Sequence, residues 1–218
     1  MPREKAIPLA LIGETNERAR MSDGRTGAAL RLECRPSKSG DVLLFPYTLE
    51  NMGPGDVYAM HALPSADPAS HAAQGNDTAA VVIASEDGDA IIGKFVAPLP
   101  ADRRIAVQVF PLAHRLPAGA KLEGRIEIPL PLAETSPYFP DLTLRGYEIA
   151  EIKGVALTIG YWVAGNDGLA AFPAEYVPDL FIVETRNTAR SAQRVSQRFP
   201  TKGLQLFRRT DAFPRTLV

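Results

Sequence analysis

Apolar and polar side chains alternate with a period of two along most of this chain, the pattern of strands that turn one face to a core. The alternating or β-rich segments are GAALRLEC (27–34), DVLLFPYTLE (41–50), DVYAMHAL (56–63), TAAVVIAS (78–85), DAIIGKFVA (89–97), RIAVQVF (104–110), KLEGRIEIPL (121–130), IKGVALTIGYWVA (152–164), YVPDLFIVE (176–184) and GLQLFRR (203–209). Turn residues separate them: NMGPG joins the second to the third, EDG marks a hairpin between the fourth and fifth, and RLPAGA precedes the seventh. Short strands in this number, with a single candidate helix, predict an all-β, antiparallel β-sandwich carrying one short C-terminal helix. The expected organisation is an N-terminal arm over 1–25, a sandwich over 26–185, and a basic C-terminal segment over 186–218 that belongs to the same domain.

The stretch RIEIPLPLAETSPYF (125–139) begins as a strand and then carries proline at alternate positions. Ile126, Ile128, Leu130 and Leu132 point to one face, and Arg125, Glu127, Pro129 and Pro131 to the other. Alternate backbone N–H groups also share a lateral flank, so Pro129 and Pro131 delete two donors from one side. This predicts an edge strand, or a strand that leaves its sheet at that point. GKFVAPLP (93–100) shares the pattern with GRIEIPLP (124–131), a similarity of eight positions that chance explains. Tyr161 and Trp162 are neighbours on one predicted strand. They face opposite ways, and only one of them is expected in the core.

Within PYTLENMGPGDVYAM (46–60), Tyr47, Leu49, Asn51 and Gly53 form an aromatic, alternate apolar, Asn and Gly-turn series. It resembles the strand–turn–strand of bacterial immunoglobulin-like domains. The resemblance implies an immunoglobulin-like, or alternatively jelly-roll-like, sandwich. It implies no activity, because that architecture hosts many functions.

Composition adds little to the fold and more to the compartment. Hydrophobic residues make up 45% and charged residues 22% of 218, and the 19 prolines and 17 glycines suit many turns. A lone Cys34 excludes an internal disulfide framework and fits a reducing compartment. The apolar run Ile7–Ile12 is interrupted by Pro8 and is short for a signal-peptide core. No run approaches the roughly 18–20 apolar residues that span a bilayer. A cytoplasmic location is expected.

Motifs that would announce chemistry are missing. The sequence contains no G-x-S-x-G, phosphate-binding loop, dinucleotide fingerprint or zinc spacing. The histidines are His61, His71 and His114, and a site could gather His61, His71 and Asp67 or Asp77 in three dimensions. That would be the hydrolase or metal-dependent alternative, placed on loops around 64–77 and 132–142. SEDGDA (85–90) reads as a hairpin turn rather than a calcium loop, since the spacing to a terminal Glu is lacking. No cofactor and no catalytic residue is assigned.

Charge is where the sequence departs from the ordinary. Net charge is −1, yet Ser39–Gly93 holds eight acids (Asp41, Glu50, Asp56, Asp67, Asp77, Glu86, Asp87, Asp89) and no Lys or Arg. Residues 186–218 hold eight bases against Asp211 alone. Arg186, Arg190, Arg194 and Arg198 recur every four residues in RNTARSAQRVSQRF. On a helix they cover an arc of about 120°, with Ala189, Ala192, Val195 and Phe199 opposite, and Pro200 supplies a stop. A helix is therefore expected over this stretch. Such sorting points to an electrostatic partner. Arg186, Arg190, Arg194, Arg198, Arg208 and Arg209 are the candidate partner-binding residues. Their target is the acidic region of the same fold, the same region of a second copy in a homo-oligomer, or another acidic protein. Nucleic acid or anionic lipid fits a chain of pI ≈ 6.3 less well. The sequence thus reads as a non-catalytic binding or assembly module.

Overall fold

The computed structural model describes residues 7–8, 29–66, 73–100, 104–138, 147–166, 168–175 and 177–210. Among these described residues seventeen strands and one helical turn follow in order. They are β1 (Ile7–Pro8), β2 (Leu30–Cys34), β3 (Ser37–Ser39), β4 (Val42–Asn51), β5 (Val57–Ala66), β6 (Ala73–Asn76), β7 (Val81–Ala84), β8 (Asp89–Lys94) and β9 (Leu112–Leu116). Then come β10 (Lys121–Pro129), β11 (Leu132–Ala133), β12 (Tyr147–Glu151), β13 (Gly154–Val163), β14 (Ala170–Pro173), β15 (Leu180–Glu184), α1 (Thr188–Ser191), β16 (Gln193–Pro200) and β17 (Gln205–Arg209). The fold is an all-β sandwich of antiparallel pairs, except for two parallel ones, β8 with β13 and β11 with β17.

Sheet one runs β1-β3-β4-β10, with β2 also on β4. Its spine is β4, where Leu43, Phe45, Tyr47, Leu49 and Asn51 are buried and their neighbours are not, the period-two alternation read from the sequence. Pro46 survives in mid-strand because its flank faces the gap between β2, which ends on Tyr47, and β3, which starts on Leu44. Sheet two runs β14-β15-β9-β5-β13-β8-β7, with β16 on β13 and β6 on β5. A small third sheet, β11-β17-β12, holds the chain leaving β10.

Prolines 129 and 131 do what their positions predict. Among the described residues β10 pairs with β4 and with no other strand, the pairing of an edge. On its outer flank Glu127 N–H donates to Thr78 O at 3.0 Å, the next position with that orientation is Pro129, and Pro131 follows where the strand has ended. The chain then departs into β11.

Sheet two is covered on both faces. One face packs on sheet one through Val57, Ala59, Ile92, Val155, Leu157, Ile159 and Tyr161. The other carries a second cluster of Met60, Ile83, Phe95, Ala113, Trp162 and Val183, on which Phe110, Tyr138, Ala189 and Ala192 pack. Tyr161 and Trp162 are 2% and 1% exposed, so both are core. This corrects the expectation of one, which presumed a sheet wet on one side. RIAVQVF is likewise not a strand. Residues 104–110 form an irregular segment that lays Phe110 on the second cluster, and Val109 N–H donates to the Tyr138 hydroxyl at 3.1 Å.

The helix expected over the arginine repeat is four residues long. Asn187 caps it by accepting from Arg190 N–H at 3.3 Å, and from Gln193 the chain is a strand pairing along β13 from Tyr161 to Gly154. In β16 the half-buried residues are Val195, Gln197 and Phe199, with Arg194, Ser196 and Arg198 exposed. Period two, not 3.6, governs this segment.

Candidate functional site

The six candidate arginines do not share one face. Arg198 reaches from β16 across β13 to Asp89 at the start of β8, its Nε 2.5 Å from Oδ2 and its Nη2 2.8 Å from Oδ1. It passes over Gly154, where a methyl group would stand 2.9 Å from Nη2 and 3.0 Å from Asp89 Oδ1. Asp89 is 9% exposed, so this bidentate pair is half interior. It joins the basic end of the sequence to the acidic region. Arg208 and Arg209 belong to β17. Arg208 pairs with its register partner Glu148, and the Arg209 guanidinium lies 5.7 Å from the Tyr147 ring centroid. Arg186, Arg190 and Arg194 flank the α1 turn on the exposed side, and no ion pair is formed by them among the described residues. The Arg194 guanidinium stacks 5.3 Å from the centre of Phe95.

Three of the eight acids of the acidic region are paired from other parts of the chain: Glu50 with Arg31 and Lys121, Asp56 with Arg115, and Asp89 with Arg198. Of these, the Asp89 pair alone joins the two charge blocks of the sequence among the described residues.

A second constellation lies at one end of the main core, and sequence reading did not single out its central residue. Lys94 continues the inward series Ala90 and Ile92 on β8 and is fully buried. Its Nζ donates to the Tyr47 hydroxyl at 3.0 Å and to Asp77 O at 2.5 Å. No carboxylate lies within ion-pair distance among the described residues. Burial, partly offset by the Asp77 charge, pulls its amine down to about 7. Burial also raises the Tyr47 phenol.

His61 sits where the β5–β9 register slips between Met60 and Ala62, a bulge that turns it toward the same end. Its ring is edge-on to His114, centroids 6.1 Å apart, and its buried Nδ1 has no hydrogen-bond partner. Burial, then the Lys94 charge, lowers it to about 4. His114 Nδ1 lies 2.9 Å from Arg115 O. The signal for Lys94 was present in DAIIGKFVA, whose alternation puts a lysine on the apolar face.

The metal alternative finds His61 beside His114, while His71 and Asp67 lie outside the described residues. Among the described residues no three His, Cys, Asp or Glu side chains converge as metal ligands would. SEDGDA forms the β7–β8 turn, closed by Ser85 N–H to Asp89 O at 2.8 Å. Beside β2 an open pocket of ≈ 610 Å³ is lined by Glu33, Cys34, Arg35, Tyr47, Glu123 and Gln197. Its Gln197 amide is already committed, Oε1 accepting from Cys34 N–H at 2.8 Å. Burial pushes the Cys34 thiol up to about 12, which keeps it unreactive. No helix among the described residues is long and apolar enough to cross a membrane. No family model, curated protein or solved structure matches this chain.

Proposed function

We propose that the chain is a non-catalytic binding and assembly module that presents Arg186, Arg190 and Arg194 to an acidic protein surface. The observation that carries this reading is the contrast among its arginines. Arg198 and Arg208 are engaged by Asp89 and Glu148, whereas the three around α1 meet no acid among the described residues, Arg186 and Arg190 standing in solvent and the Arg194 guanidinium lying on the Phe95 ring. Three like charges lie within nine residues of chain, and an acidic surface is the electrostatic complement they would meet. The partner is an acidic protein or a second copy, and Cys34 suits a reducing, cytoplasmic setting.

Retention on immobilised poly-glutamate tests the reading. The wild type should be retained at about 50 mM salt and released as salt screens the contact. The triple variant Arg186→Glu, Arg190→Glu, Arg194→Glu should pass unretained while keeping the wild-type circular dichroism. Identical elution of the two proteins would discard the arginine face. Tighter retention on duplex DNA than on poly-glutamate would replace it with the nucleic-acid reading. Light scattering across the same salt series separates self-assembly from a foreign partner.

A further inference from the structure

Residues 76–79 cross the end of the main core between β6 and β7. The Asn76 side chain shapes this strap, its Oδ1 accepting from Thr78 N–H at 3.1 Å and Ala79 N–H at 2.9 Å. Two carbonyls hold it down. Asp77 O accepts from Lys94 Nζ, and Thr78 O accepts from Glu127 N–H on β10.

One of these two anchors is an amine with no access to water. Around Lys94 stand the Tyr47 phenol from β4, with Cys34 of β2 behind it, His61 from β5, with His114 of β9 against it, and Asp77 of the strap itself. Glu127, on the β10 side, is paired with Arg125. The direct hydrogen-bond partners of Nζ are a hydroxyl and a peptide carbonyl, both neutral. An ammonium ion has three N–H groups to satisfy, and removing it from water is costly without an opposing charge in contact. His61 adds to that cost, because its own protonation would place a second cation beside the first.

We propose that the 76–79 strap is an acid-released latch, closed over a neutral Lys94 and opened when protonation requires that side chain to reach water. The direction follows from proton linkage. The amine binds a proton more weakly in the closed state, near 7, than in water, so falling pH favours the open state, and His61 extends the effect toward pH 4. Between pH 8 and 6 the opening equilibrium should grow about tenfold on Lys94's account.

Amide hydrogen exchange on the intact chain at pH 6 and pH 8, corrected for intrinsic exchange, reads the latch at Glu127, whose N–H donates across to Thr78 O. The expected result is about tenfold weaker protection of Glu127 at pH 6. Leu157 and Ile159 in β13 should change much less. Carbon-13 labelling of lysine should show one Cε resonance titrating near neutrality. Lys94→Met should remove the pH dependence. Equal protection at the two pH values, a loss shared equally by β13, or a Lys94 Cε that titrates only above about pH 10 would overturn the proposal. The wild-type measurements decide it even if the variant does not fold.

Discussion

Asn51 is 1% exposed and has every polar atom of its side chain engaged. Nδ2 donates to Gly55 O and Leu116 O, each at 2.8 Å, and Oδ1 accepts from Gly53 N–H at 3.0 Å. It therefore holds the NMGPG turn and ties β4 to the end of β9. Asn51→Ala should lower the unfolding free energy by about 1–3 kcal/mol, measured by urea denaturation, because the buried Leu116 carbonyl loses its donor and the turn loses two further bonds. Asn51→Asp should be no better, since a carboxylate faces two carbonyls where the amide donated. Glu134 has a comparable part. It is 4% exposed, with Oε1 accepting from Ala84 N–H and Oε2 from Arg209 N–H, both at 2.6 Å, so it joins β7 to β17. Asn51 was visible in the sequence as part of an Asn–Gly turn. Glu134 was not, because nothing in LAETSPYF distinguishes a buried carboxylate from a solvated one.

The arginine repeat shows why an element can be misread from sound periodicity. A step of four residues is close to a whole turn of helix and is also an even step along a strand, so Arg194 and Arg198 share a face under either reading. Only the eight residues from Gln193 carry the strand pattern, and the α1 turn before them blurs it. What decides is β13, whose long flank from Gly154 to Tyr161 requires a partner, and β16 supplies it. The pairing also requires that Arg198 cross Gly154. Gly154→Ala should displace the guanidinium and cost about 1–3 kcal/mol, seen as a lower urea midpoint at unchanged slope. Gly93 is stricter, since a Cβ there would stand 1.7 Å from Thr158 O. Gly93→Ala should therefore fail to give a cooperative unfolding transition. The edge at β10 was legible in advance, because proline's missing donor is a property of the residue and not of its neighbours.

At the level of the whole molecule, the two charge blocks of the sequence meet at the Arg198–Asp89 pair. Removing 193–218 should not trim a tail. It should bare the β16 flank of β13 and take β17 from between β11 and β12, and we expect aggregation on expression, in contrast to the soluble triple arginine variant. Lys94 and His61 both hold protons less tightly folded than unfolded. The unfolded chain thus carries more protons between about pH 4 and the ordinary lysine range, and stability rises with pH across that window. The apparent Tm of the wild type should climb from pH 5 to pH 9, and Lys94→Met should flatten the portion above pH 7. The chain's own order of residues determined the strand class, most strand positions, the proline-marked edge and the Asn51 turn, because alternation, missing donors and turn chemistry act within a few residues. Tertiary structure alone decided that sheet two is buried on both faces, that 193–200 is a strand, which arginines meet acids, and what stands opposite the Lys94 amine that alternation had put on the apolar face. Each of these depends on what a distant segment places opposite, and burial and pairing are properties of that encounter.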